Sequence, residues 1–313
     1  MSQTDGRSRS RPTLRLLKRV LATAAVLLLL AWVVWRAWGD VSAVHWRGLA
    51  LRPELLGLAV VLPLLAFAVQ ALTWVVMMRG LGYGLGWWAG LRAHLLSLLG
   101  NYVPGKVLIV VIRAGAVQRH GLPGLPVAGS VVLETLLRTV VGALLAAAGL
   151  YWMGLGQGYA AGLLALLLLF GALGHPRVFH ALGDWLLVRL GRDPIPRRLA
   201  ARDIALMMLG YLGFWLLYGA GFCLLAWGVL GAQARGTAAL GVSFVVSQIS
   251  SNLAVFAPVG LGVSDATLAE VLRVTGAVMA GGLLALVARA WRTVCELLGA
   301  GLGYLLPDRP PAD

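Results

Sequence analysis

Long apolar runs alternate with short polar connections along almost the whole chain. Residues 16–38, 55–78, 127–151, 204–230 and 278–305 form the longest apolar stretches, and residues 159–173 form a shorter one. A helix needs roughly 20 apolar residues to cross the hydrocarbon core of a bilayer. The pattern therefore predicts an all-α, polytopic membrane helix bundle with little chain left for a soluble domain.

Two apolar stretches break in the same way. The first reads Ser97-Leu-Leu-Gly-Asn101-Tyr-Val-Pro104-Gly105-Lys106 and runs on to Arg113. The second reads Ser250-Ser-Asn252-Leu-Ala-Val-Phe-Ala-Pro258-Val-Gly260-Leu-Gly262 and reaches Asp265. Each has Ser and Asn, then Pro and Gly, then a charge. Irregular backbone at membrane depth is tolerated only where protein buries it or where it lines a water-filled cavity. Paired interruptions in corresponding halves are the sequence mark of an inverted repeat built around a binding site.

Composition agrees with the pattern. Hydrophobic residues make up 60% of the 313 positions and charged residues only 12%, about half the share of a soluble domain. The net charge of +14 does not point to nucleic acid, because the Lys and Arg lie in short segments between apolar runs and not on one folded face. Such segments set membrane orientation and attract anionic headgroups. Cys223 and Cys295 both lie in apolar runs, as inert buried thiols do. The basic N-terminus followed by an apolar run resembles a signal peptide, but bulky Trp residues follow where small cleavage-site residues belong. An uncleaved first span is expected.

Charge also constrains topology. The tail over residues 1–13 and the start of the first run hold six Lys/Arg, and the polar stretch 175–203 holds six Arg. Both belong on the cytoplasmic side. They share that side if the first broken segment, residues 91–112, enters and leaves on one face with Pro104-Gly105 near its tip. Treating 238–274 alike gives six full spans within residues 14–306, two opposed re-entrant hairpins, a short tail over 307–313 and cytoplasmic termini. Eight full spans are the rival count. Residues 178–190 carry apolar positions at helical spacing and suit the membrane surface.

Intramembrane charges are the candidate functional groups, since each costs about 2.5–3.5 kcal/mol at mid-bilayer even on the lenient scale. Glu134 and Arg138 stand four apart on one helix face. They form either a self-neutralising structural pair or the lining of a polar cavity in which Glu134 holds Arg138 toward a phosphate. Arg292 and Glu296 repeat the spacing nearer a membrane end and read as structural. Arg289 has no acid at that spacing on its own helix, so it calls for a partner elsewhere or a ligand. Lys106 and Arg113 either snorkel to the interface or join the backbone N–H groups freed at the Pro-Gly break in an anion site. Asp265 is either the cap of a helix over 266–273 or, functionally, a partner for a membrane Arg or a proton carrier. Asn101 and Asn252 either satisfy local backbone or line the same cavity, together with the breaks at Pro104, Gly105, Pro258, Gly260 and Gly262. No phosphate-binding loop, dinucleotide fingerprint, metal-ligand helix or hydrolase motif appears, so neither cofactor nor metal is expected and a transporter-like protein is favoured over an enzyme.

The broken segments resemble the flippase-like membrane domain of the lysylphosphatidylglycerol synthase family. The residues that carry the resemblance are Tyr102-Val103-Pro104-Gly105-Lys106 with Arg113 nine positions after the Pro, Glu134 in the next span, Pro258-Val-Gly260-Leu-Gly262-Val263-Ser264-Asp265 in the second break, and Arg289 in the last span. It covers about residues 15–305. Ser264 and Asp265 stand where the family carries Arg and Glu, and Leu108 stands where a Trp is common. The resemblance implies translocation of an anionic or polyprenyl-phosphate-linked lipid in a bacterial inner membrane, with a glycolipid-pathway enzyme or a second copy of the chain as candidate partners. No soluble transferase domain is expected in this chain. A membrane-embedded transferase, or an accessory subunit of one, is the alternative reading.

Overall fold

The computed structural model describes residues 51–102, 107–155, 162, 165, 167–169, 171–172, 175–231, 234, 236–253, 263–278 and 281–307. The expected first span at 16–38, the breaks at Pro104, Gly105 and Lys106, and those at Pro258, Gly260 and Gly262 lie outside the described residues.

The described residues form nine α-helices and one 3₁₀ turn, with no strand. They are α1 (Pro53–Gly80), α2 (Trp87–Ser97), the 3₁₀ turn (Leu98–Tyr102), α3 (Val107–Gln118), α4 (Gly124–Trp152), α5 (Pro176–Arg189), α6 (Ala201–Leu230), α7 (Thr237–Leu253), α8 (Val263–Val274) and α9 (Gly281–Leu305). Of these, α1, α4 and α6 are both long and apolar enough to cross a membrane. The all-helical, polytopic bundle expected from the sequence is thus present. Helix α9 has 25 residues, a rise of about 37 Å, but it carries Arg289, Arg292 and Glu296.

Helices α1 and α6 form the most extensive pair. They run antiparallel in a register readable from glycine. A Cβ at Gly228 would stand 2.9 Å from Leu56 Cδ2, and one at Gly221 2.9 Å from Pro63 Cδ. Gly210 faces Thr73 in the same way. Lipid tails are as apolar as Leu, so helices in a membrane gain little by hiding apolar surface and much by close approach. Gly221 also gives room to Pro63, whose ring would otherwise crowd the neighbouring helix.

An aromatic cluster fills the centre. Tyr218 of α6 packs against Phe67, Phe214, Phe244 and Trp291, with ring centroids 4.9–5.6 Å apart. Trp291 donates its indole N–H to the Ala59 carbonyl at 2.8 Å, which ties α9 to α1.

The helices on either side of each break pack on one another, α2 on α3 and α7 on α8. Helices α2, α3 and α8 have 11, 12 and 12 residues, a rise of about 16–18 Å each against a hydrocarbon core of about 30 Å. Each break is therefore flanked by at least one helix too short to span alone.

Helix α5 forms where apolar spacing predicts it. His175 precedes it and accepts the Arg177 N–H through Nδ1 at 3.2 Å, with Pro176 in the first turn. A clasp holds it to the segment before α6. His180 Nε2 accepts the Leu199 N–H at 3.1 Å, Asp184 Oδ1 accepts the Ile195 N–H at 2.9 Å, and Asp184 Oδ2 pairs with Arg198 at 2.7 Å. Burial pushes the His180 imidazole below its ordinary value; the Arg198 charge adds to this and Asp184 opposes it. The folded value thus lies below the unfolded one, so the clasp's contribution is complete above about pH 6.5 and is lost as pH falls through the folded value. Hydrogen exchange at the Leu199 amide, corrected for intrinsic rate, is expected to accelerate on acidification. Constant protection from neutral to acidic pH would refute this reading of the clasp.

Candidate functional site

Two charged nodes lie inside the bundle, with Arg138 between them. The first centres on Glu134 of α4 and Arg113 of α3, each about 4% exposed. The Arg113 guanidinium engages the carboxylate through both terminal nitrogens, Nη1 to Oε2 and Nη2 to Oε1. Its Nε donates to Ser97 Oγ at 2.9 Å, and Ser97 donates to the His94 carbonyl at 2.6 Å. Gln70 Nε2 donates to Glu134 Oε1. The guanidinium also sits 4.9 Å over the Trp74 ring, and Trp74 donates Nε1–H to Ser130 Oγ at 2.9 Å. Helices α1 to α4 all contribute. A buried ion pair persists when its geometry is good and further hydrogen bonds support it; this one is bidentate, with Ser97 and Gln70 as further partners and guanidinium N–H groups to spare.

The second node centres on Asp265 in the first turn of α8. Arg289 reaches its Oδ2 at 3.1 Å and Arg292 its Oδ1 at 3.4 Å. Arg292 also donates to Gln248 Oε1 at 2.5 Å and to Ser264 Oγ at 3.3 Å. On the same face of α9, Glu296 accepts from Asn101 Nδ2 at 3.0 Å. Asn252 reaches Thr139 Oγ1 at 3.5 Å, joining α7 to α4.

Arg138 lies one turn from Glu134. Its guanidinium stands 5.5 Å from the Phe214 ring centroid. Among the described residues no carboxylate lies within ion-pair distance of it, although Glu134 and Glu296 are both near enough to act on its charge.

Several sequence expectations need correction. Glu134 does not pair with Arg138 on its own helix, because the Arg113 side chain crosses from α3 and occupies both carboxylate oxygens. Arg292 and Glu296 do not neutralise each other either; Arg292 turns to Asp265 and Glu296 to Asn101. Arg113 does not snorkel, being buried at the first node. Asn101 and Asn252 each reach a side chain on a distant helix. Asp265 meets Arg289, the partner that its membrane position called for. Gln70, His94, Ser97, Gln248 and Tyr211 were missed as candidates. Gln70 and Gln248 had a signal, as amides inside apolar runs. Ser97 had a signal as the Ser that opens the first break, and His94 had only its position beside that break.

The model of the family described as Lysylphosphatidylglycerol synthase TM region matches residues 19–299. No curated protein and no solved structure matches the chain.

Proposed function

The chain belongs to the family of the lysylphosphatidylglycerol synthase TM region, and from that premise we propose that it translocates a lipid with an anionic headgroup across a bacterial inner membrane. The observation that carries this reading is Arg138. It is a cation within the bundle, set between two ion-paired nodes, with no carboxylate at ion-pair distance among the described residues. Among the described residues, four guanidiniums (Arg113, Arg138, Arg289 and Arg292) stand with three carboxylates (Glu134, Asp265 and Glu296) across the two nodes, and Arg138 is the one with no carboxylate at ion-pair distance.

A phosphate oxygen suits that cation. Arg offers two parallel N–H donors to phosphate, and a desolvated cation binds an anion more strongly than one in water. Glu134 positions Arg113, and Asp265 positions Arg289 and Arg292, so the donors are held in place before the headgroup arrives. Phosphatidylglycerol-like and polyprenyl-phosphate-linked lipids both carry the required group. In this reading the two breaks are re-entrant hairpins entering from opposite faces, with Pro104, Gly105 and Lys106 at one tip and Pro258, Gly260 and Gly262 at the other. Their freed backbone groups line the headgroup's route, and both chain termini face the cytoplasm.

The test is transfer of a headgroup-labelled anionic lipid between leaflets of proteoliposomes. Arg138→Gln is expected to slow transfer by about tenfold, equal to about 1.4 kcal/mol, without lowering the melting temperature. Transfer at the wild-type rate in this variant would remove Arg138 from the site. No transfer by the wild-type protein, with anionic or polyprenyl-phosphate lipids alike, would end the translocation reading.

A further inference from the structure

Four buried polar atoms cluster around the Arg113–Glu134 pair without any hydrogen bond to protein: His94 Nδ1, His94 Nε2, Tyr211 Oη and Arg138 Nε. His94 and Tyr211 are both fully buried. Unpartnered buried polar groups are rare because each has given up water for nothing. Four around one ion pair call for an occupant.

Packing places them at one level of the bundle. The His94 ring lies 6.4 Å from the Trp74 ring, and Trp74 carries the Arg113 guanidinium on its face. Tyr211 follows Gly210, which abuts Thr73, the residue before Trp74. Tyr211 also stands one turn from Phe214, the ring under the Arg138 guanidinium. His94, Tyr211 and Arg138 each lie within electrostatic reach of both Arg113 and Glu134, or of Glu134 alone in the case of Arg138.

The chemistry of the atoms limits what they take. Arg138 Nε is a donor only, and a histidine presents at least one ring N–H in any protonation state. The Tyr211 hydroxyl donates or accepts. Two obligatory donors and one adaptable group suit an oxygen with free lone pairs. We infer that His94, Tyr211 and Arg138 form a buried site for a hydrogen-bonding oxygen beside the Arg113–Glu134 pair, filled either by internal water or by a hydroxyl or phosphate oxygen of a lipid headgroup. The headgroup source rests on the translocation reading; the water source does not.

Hydroxyl-radical footprinting by X-ray radiolysis of the full chain tests this, because radicals born from an internal water oxidise the side chains touching it. The chain is reconstituted in nanodiscs of phosphatidylcholine, and separately of phosphatidylcholine with phosphatidylglycerol. His94 and Tyr211 are expected to oxidise about tenfold faster than Phe222 and Tyr218, which are equally enclosed but lie in the aromatic cluster. Labelling that is equal in both lipids assigns the site to water. Labelling that falls when phosphatidylglycerol is present assigns it to a headgroup oxygen that displaces water. If His94 and Tyr211 stay as silent as Phe222 in both lipids and also in lipid-free amphipol, where no phosphate can displace water, the inference is overturned. Labelling without transfer in the proteoliposome assay would leave this site standing and remove only the translocation reading.

Discussion

Glu134→Ala is expected to destabilise the folded chain by about 3–5 kcal/mol, the cost of leaving one charge of a buried pair uncompensated. The Arg113 guanidinium spends two of its nitrogens on this carboxylate and is about 4% exposed. With the carboxylate gone its buried charge loses its counter-charge, and Gln70 loses its acceptor as well. Urea- or SDS-induced unfolding in micelles measures the loss. The companion experiment is Arg113→Met with Glu134→Leu, which removes both charges and keeps much of the volume. Replacing a buried ion pair by apolar side chains is often neutral or stabilising, so the double variant is expected to recover most of the stability. The same double variant is expected to transfer no lipid, because Arg113 no longer offers a donor. Stability retained by Glu134→Ala alone would mean that Arg113 finds another partner and that the first node is not closed.

Gly100→Ala is expected to have the next largest effect, at about 1–3 kcal/mol or above, as overpacking does in a core with no room to yield. A Cβ at Gly100 would meet Ile109 at its backbone nitrogen and at Cα, the latter 2.7 Å away. Flexible side-chain ends can move aside, but here the obstacle is the backbone of α3. The contact packs the 3₁₀ turn against α3 just outside the break, so the substitution pushes α2 and α3, which carry Ser97 and Arg113, apart. Loss of the folded fraction in fluorescence-detected size exclusion, with a lowered melting temperature, checks it. Gly57→Ala in α1 is the control. Nothing lies within 4 Å of that position, and a helix-interior Gly to Ala change gains about 0.5–1 kcal/mol. Equal behaviour of the two variants would argue against the close approach at Gly100.

The fold class was legible because a membrane admits few solutions. Every backbone polar group in hydrocarbon must be satisfied within the element, so long apolar runs become helices. Runs at 55–78, 127–151 and 204–230 accordingly match α1, α4 and α6 within a few residues at each end. The charged positions were legible for a related reason: a residue as costly as Glu134 or Arg289 stands out against apolar sequence. The α1–α6 register was less visible. Gly221 and Gly228 are spaced for a close-packed helix face, but nothing along the chain says that the facing residues are Pro63 and Leu56.

The sequence by itself determined that this chain is a helical membrane protein, that two apolar segments are interrupted alike, and which charges lie within apolar stretches. Those features depend on local hydropathy, helix periodicity and the cost of moving a charge into hydrocarbon. Only the tertiary structure decided which charges meet. Spacing of four along α4 and α9 suggested local pairs, yet Arg113 crosses from α3 to Glu134, and Arg289 and Arg292 cross from α9 to Asp265. A buried carboxylate takes the donor geometry that satisfies both of its oxygens, and packing sets that geometry. Arg138 is left between the nodes for the same reason: its neighbour in sequence was claimed by a neighbour in space.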